Sequence, residues 1–464
     1  MRMRDWWKKA FCLVFVAVGM SASNASEPNS SGIGVLLAED LFPELRRTLD
    51  EALVRSPRMV VQDLSLLQAM ESTRVQASRL YPRAGASAQY NLAREETASR
   101  RDPVDTVKTY YNVQISQPVF HWGALHAGAD IGRIQEELTR NNVAEAFRLL
   151  ALEIRREFLA LVSTKASLAH ARLELEQARK RLDVAETRVR MGEIPAGLTE
   201  PARHAVVEAE FNIDRGEYTL DQALSRFARL TGRSGFTADE VPEEIPRLNT
   251  SGGTGVESLR REFVERGGIE RTARMLNAEL EARREGLNLR ILRTNLRPKF
   301  DLVAGINQDE RSYTLDVSRT DRIASLFIGM RVQWNIFDSA STTHQVRATR
   351  YRLRQLEAQA RHAKEEHAAA IESVARELEF SGRSLEFAER SYGFALSAVS
   401  ATESNVTRGL LSAADVDAAE SRERASRISV FNARAAYLNA AAAFLSAIDA
   451  DPVAQAGARQ IRDR

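Results

Sequence analysis

The chain has one cysteine in 464 residues, Cys12, and that residue lies in the first dozen. No intrachain disulfide and no multi-cysteine metal site can form. Aromatic residues make up only 7%, too few for a large aromatic core. The conspicuous apolar run, AFCLVFVAVGM, is 11 residues long and too short to cross a bilayer as a helix. Neither charge sign dominates, with 65 basic and 63 acidic residues. Motifs of chemistry are missing as well. The sequence contains no Gly-rich phosphate loop, no nucleophile elbow and no H-E-x-x-H. His362 and His367, like His121 and His126, are five apart and do not share a helix face as ligands would. These absences point away from an enzyme, a resident cofactor and a metal centre.

The N-terminus carries an address. MRMRDWWKK is basic, the 11-residue run follows, and Ser23-Asn24-Ala25 fits a small-residue cleavage site. Residues 1–25 are expected to be a secretory signal peptide. Removing Arg2, Arg4, Lys8, Lys9 and Asp5 takes +3 from the net +2 and leaves about −1. The basic balance therefore belongs mostly to the leader and gives no reason to expect nucleic acid. Cys12 lacks the small residues that precede a lipidated bacterial cysteine, so no anchor is expected there.

What is present is a duplication. Pro82 and Pro298, Phe120 and Phe337, and Gly192 and Gly409 pair at an offset of 216 or 217. Each half reads helix, strand, loop, strand, very long helix, Gly turn, helix. The expected organisation is a first repeat over 26–231, a Pro/Gly/Ser-rich connector over 232–255, a second repeat over 256–448 and a tail over 449–464. A long helix is expected from about Leu125 to Met191, with an apolar residue every seven: Phe147, Ile154, Leu161, Leu168, Leu175, Leu182, Val189. Ile371, Leu378, Leu385, Tyr392, Val399 and Val406 repeat the phase from Ile154 onward, and Lys364 replaces Phe147. Thr164, Ala171, Ala178 and Ala185 add a small-residue seam that permits close helix approach. A strict seven-residue period implies left-handed supercoiling, and about 67 residues give a rod of ~100 Å. Shorter helices over Leu198–Leu230 and Val256–Leu296, laid end to end, would cover a similar length.

Four stretches alternate with period two. They are Ala84 to Leu92, Tyr111 to Ser116, Phe300 to Ile306 and Leu326 to Ile336. Each pairs an apolar face with a polar one, as a half-buried strand does. Strands of about 9–11 tilted residues cross an outer membrane. AREETASRRDPVDT and QDERSYTLDVSRTD read as exposed loops between them. Phe120, Trp122, Trp334 and Phe337 gather where strands meet long helices, as interfacial aromatics do. Two hairpins packed on soluble helices would show the same alternation. Four strands cannot close a barrel, and an open edge is not viable in lipid, so several subunits would have to share one barrel.

In this order and at this offset, the chain resembles the TolC-like outer-membrane efflux factors. The Pro before each outer strand, QPVF leading into a long helix, the duplicated half and the two Gly turns carry the resemblance over nearly the whole mature chain. It implies a mainly α fold with a membrane β-barrel contribution. Four strands per chain would join long coiled-coil-like helices in a homotrimeric α/β barrel, with the connector and chain ends as an equatorial belt. It implies a bacterial outer-membrane location with a periplasmic extension. The expected role is passive export in a tripartite efflux or type I secretion system, opened by a periplasmic adaptor and an inner-membrane transporter. Gly192, Ile194, Gly409, Leu410, Leu411 and Ser412 would form periplasmic tips where the adaptor docks. Asp415 matches one aspartate of the family's entrance ring; Ala418 stands at the second place, with Asp417 nearby. Asp415 also fits an ordinary helix-start residue. Arg188, Arg190, Glu193 and Arg408 are candidates for tip salt bridges, or plain solvated charges. The alternative is a non-conducting coiled-coil tether with a small membrane hairpin domain.

Overall fold

The computed structural model describes residues 35–96, 104–248, 254–313 and 316–462. The leader, and residues 249–253 of the connector, lie outside them. The elements in chain order are α1 (Ala38–Leu41), α2 (Pro43–Arg55), α3 (Pro57–Ser78), β1 (Arg83–Glu95), β2 (Val104–Phe120), α4 (Ala124–Arg190) and α5 (Glu200–Thr231). They continue as α6 (Thr254–Glu265), α7 (Ala273–Leu292), β3 (Lys299–Tyr313), β4 (Asp316–Gln333), α8 (Ser341–Thr407), α9 (Ala413–Ala447) and α10 (Pro452–Arg462). Helix dominates, and one antiparallel sheet of order β1-β2-β3-β4 completes the chain.

α4 and α8 are each 67 residues long, or ~100 Å, as their heptads predict. Their seam residues are buried: Ile154, Leu161 and Leu168 in α4, and Ile371, Leu378 and Leu385 in α8. The duplication reaches local backbone strain. Trp122 and Gly123 enter α4 with φ of 57° and 80°, and Ser339 and Ala340, 217 residues on, enter α8 with 54° and 65°.

Two expectations change. The helix expected over Val256–Leu296 is broken, because Gly267 and Gly268 take positive φ of 107° and 58° between α6 and α7. The end-to-end partners also differ from those anticipated. α3 continues α5, with Ser56 Oγ donating to the Leu230 carbonyl at 2.8 Å. α7 continues α9, where the Ala273 N–H donates to Asp449 Oδ2 at 3.2 Å.

The strands also outrun their apolar patterns. β2 begins at Val104, and β3 and β4 pair as far as Tyr313 with Asp316, so the second expected loop is mostly ladder and the first is ladder at its two ends, its residues 97–103 lying outside the described residues. Backbone pairing continues there without a period-two apolar signal. In the shared register the apolar rows run Ala86–Val113–Ile306–Leu326 and Ala84–Ile115–Ala304–Ile328. The opposite face carries Ser87–Asn112–Asn307–Ser325. On β4, Leu326 and Ile328 are 83% and 78% exposed.

The core sits around the middle of α4. Phe147, Leu150, Ile154 and Phe158 there meet α1, α2, α10 and the connector residues Phe236, Val241 and Ile245. Lys165 Nζ donates to the carbonyls of Ala238 (2.9 Å) and Val241 (2.7 Å), fastening the connector to α4. At the centre lies Arg155, fully buried. Its Nε and Nη2 reach Glu39 at 2.9 and 2.5 Å, and Nη1 and Nη2 reach Asp451 at 2.5 and 2.9 Å. Burial alone would lower the guanidinium pKa, but hydrogen bonds and charge from Asp451 and Glu39 hold it above its ordinary value. Asp451 also accepts the N–H groups of Val453 and Ala454 at the start of α10. One side chain thus ties both ends of the described chain to the long helix.

Arg155→Met strands two buried carboxylates and is expected to cost about 3–5 kcal/mol. Adding Glu39→Gln and Asp451→Asn should recover much of that loss. Chemical denaturation of the three proteins checks this, and an Arg155→Met protein as stable as the wild type would contradict it.

Candidate functional site at the helix-hairpin tips

The end of each long helix remote from the sheet carries a hairpin turn. In the first, the Gly192 N–H donates to the Val189 carbonyl and the Glu193 N–H to the Arg188 carbonyl, both at 3.0 Å. In the second, Gly409 donates to Val406 and Leu410 to Asn405, both at 2.9 Å. These are two Schellman caps, in which a left-handed residue satisfies the last helical carbonyls. Gly192 and Gly409 have φ of 73° and 72°, and nothing lies within 4 Å of a Cβ built at either. Glycine is needed there for its backbone conformation, not for space.

The return helices start differently. Pro195 precedes a 3-10 turn at Ala196–Thr199 before α5. Ser412 N-caps α9 in a capping box: Asp415 Oδ2 accepts from the Ser412 N–H (2.9 Å) and hydroxyl (2.7 Å). These bonds hold the Asp415 carboxyl below the usual range. Between cap and helix, Leu410 and Leu411 are exposed, as are Met191 and Leu198 on the first hairpin, while Ile194 is half-buried. Each tip is therefore a capped turn presenting apolar side chains among charges.

The remaining charged residues form local contacts. Arg188 lies 3.9 Å from Glu193 in its own turn. Arg190 Nη2 donates to Thr187 Oγ1 at 2.9 Å. Arg408 is the C-cap residue of α8. Asp417 faces Arg181 of α4 at 4.0 Å, so it links the two repeats. Sequence reading missed the side chains that continue this link. Arg424 of α9 contacts Glu174 (3.4 Å) and Gln177 (2.8 Å) of α4. Within the first repeat, Arg203 of α5 lies 3.5 Å from Glu186 of α4. Charges flanking the heptad seam were the available signal, but their partners lie on other helices. Among the described residues, no His/Cys/Asp/Glu group is arranged to hold a metal.

The sheet end is the other half of the assembly. Trp122 Nε1 donates to the Pro298 carbonyl at 2.8 Å, and the Arg297 guanidinium lies 4.9 Å above its ring. Trp334 Nε1 donates to the Leu296 carbonyl at 3.0 Å. Aromatics thus collar the strand–helix junction with their polar groups satisfied by backbone. Among the described residues, no helix is long and apolar enough to cross a membrane.

A family model described as outer membrane efflux protein matches residues 48–233 and 268–449. No curated protein matches the sequence. The fold is similar to that of the CmeC outer membrane channel of Campylobacter jejuni, at 12% identity and TM-score 0.72 over 97% of this chain and 98% of that one. It is also similar to a membrane protein from Pseudomonas aeruginosa, at 18% identity and TM-score 0.69 over 93% and 96%. The outer membrane protein VceC of Vibrio cholerae matches at 16% identity and TM-score 0.66 over 88% and 97%.

Replacing Gly192 or Gly409 with Ala should strain its turn by about 1–2 kcal/mol. Amide exchange at Glu193 or Leu410 should then quicken roughly tenfold, with the belt unchanged. Equal exchange in variant and wild type would reject the cap assignment. The Asp415 carboxyl has a depressed folded pKa, so its cap is intact above the ordinary value of 3.8 and lost as pH falls through the folded value. Exchange at Ser412 should rise over that acidic range in the wild type and show no such rise in Asp415→Asn.

Proposed function

The chain belongs to the outer membrane efflux protein family, and on that premise we propose that three copies build one continuous export conduit. The observation that carries this reading is the sheet. It has four strands, two open edges and one apolar face, and it continues into ~100 Å helix pairs. Three such sheets joined edge to edge make a twelve-stranded barrel without a free edge. The row of Leu326, Ala86 and their neighbours then faces lipid, and the row of Ser87, Asn112 and Asn307 faces a watery interior. The helices extend the conduit into the periplasm, with the Arg155-centred belt around its middle.

The tips are the periplasmic mouth, two hairpins per copy. Exposed Leu410, Leu411, Met191 and Leu198 suit docking by the apolar tips of a periplasmic adaptor. Export energy comes from an inner-membrane transporter reached through that adaptor, for efflux or type I secretion, and the channel itself is a passive path. The Arg181–Asp417 and Arg203–Glu186 contacts hold neighbouring helices together at the mouth. Dilation has to break some of them. Three Asp415 carboxylates, fixed by their capping boxes, concentrate negative potential at the entrance and bind cations there.

Membrane fractionation followed by planar-bilayer recording tests the reading. A conducting, outer-membrane-inserted protein is expected. Asp415→Ala should weaken block by added divalent cations, and unchanged block would remove Asp415 from the gate. A folded, inserted assembly that never conducts would instead favour a tethering role.

A further inference from the structure

In one protomer the helices lie side by side in the order α5, α4, α9, α8. α4 touches α5 on one side and α9 on the other, and α8 touches α9. α5 and α8 are thus outer edges, as β1 and β4 are in the sheet. The α4–α9 seam joins the long helix of the first repeat to the return helix of the second. Its counterpart under the duplication is α8 against α5. Those two are opposite edges of one protomer, so only a second copy can make that contact.

The offset of 217 holds side-chain phase along these helices. Ile154 and Ile371, Leu161 and Leu378, and Phe227 and Phe444 are all buried at equivalent places. On the α4 side the α4–α9 groove is lined by small or polar residues such as Ser163 and His170 together with Leu173, and Gln177 is bonded to Arg424. Their counterparts on α8 are Phe380, Phe387 and Phe394, which are 61%, 73% and 76% exposed. Arg424 and Ile428 of α9 line the same groove. Their counterparts on α5 are Val207 and Phe211, 65% and 63% exposed. Both edges therefore carry large exposed apolar side chains, Phe380, Phe387 and Phe394 standing where α4 has Ser163, His170 and Gln177, and Val207 where α9 has Arg424.

Charge supports the same pairing. Arg148 of α4 donates to Ser446 Oγ of α9 at 2.7 Å. The equivalent positions are Glu365 on α8 and Arg229 on α5, of opposite sign and both exposed. A helix with apolar seven-residue stripes on two opposite faces needs two helical neighbours.

Resting on the conduit reading above, we infer that α8 of one copy packs its Phe380–Phe387–Phe394 stripe against Val207 and Phe211 on α5 of the next copy. Glu365 pairs there with Arg229. The seam between copies is aromatic and dry, while the equivalent seam within a copy mixes Ser163, His170 and Arg424 with Leu173 and Ile428. The polar contacts at Arg424 and Arg181 can be exchanged for water when the mouth dilates, and the aromatic seam keeps the copies together meanwhile.

Full-length chains carrying Phe394→Cys and Val207→Cys test this, because Cys12 in the leader is the only native thiol. A short bismaleimide applied to outer-membrane vesicles should give covalent dimers and trimers and nothing larger. Co-expressed single-cysteine chains should give dimers. A native trimer in which this pair does not link between chains would overturn the seam and leave the conduit reading standing. A monomeric native mass would overturn both. Glu365→Arg and Arg229→Glu should each raise the fraction of dissociated monomer at least tenfold, and the double swap should restore assembly. Failure of the swap to restore it would contradict the charge pairing.

Discussion

Inside a bilayer every backbone N–H and C=O must find a partner within protein, because lipid offers none. Among the described residues this chain presents one sheet with an apolar face, in which β1 and β4 are the outer strands. That constraint organises the rest of the fold. A sheet that must be closed by neighbours fixes the order of the elements following it. α4 leaves β2 and α8 leaves β4, so closing the strands places the helices in a ring as well. In the proposed trimer the duplication gives that ring alternating contacts of two kinds, one within a copy and one between copies.

Long helices lying side by side have little core of their own. Stability is concentrated where α1, α2, α10 and the connector wrap the middle of α4, with Phe42, Phe158, Phe227 and Phe236 in successive ring contact. Arg155 is the polar centre of that belt. A buried ion pair adds little net stability over an apolar replacement, whereas a broken one is costly. The triad is therefore better understood as fixing which segments meet. It accepts only an arrangement that brings Glu39 and Asp451 to one guanidinium. The tips are the opposite case: short caps and exposed ion pairs of small individual worth.

Much of this was legible in the sequence. The Gly192 and Gly409 turns, the heptads through Ile154 and Ile371, and the alternation at Ala84 and Leu326 each depend on neighbours close in sequence, so pattern alone found them. The misses had a physical cause too. Arg155, Glu39 and Asp451 are brought together only by tertiary packing, and an arginine within LLALEIRREFLALV was the sole hint. Strand extension through Val104 and Asp316 relies on backbone bonds, which leave no side-chain period. The break at Gly267-Gly268 was visible as a glycine pair but was overridden by the flanking helical pattern. Asp415 shows the limit at the site: its capping geometry follows from Ser412 three residues earlier, while its distance from a shared axis depends on other chains.

In the proposed trimer, neighbouring copies complete the wall. Amide hydrogen exchange on the membrane-inserted protein tests it strand by strand. With neighbouring copies in place, the outward-facing N–H groups of β1 and β4 in the apolar band should be as protected as those of β2 and β3 at the same depth. Fast exchange confined to β1 and β4, in a protein otherwise folded and inserted, would contradict it.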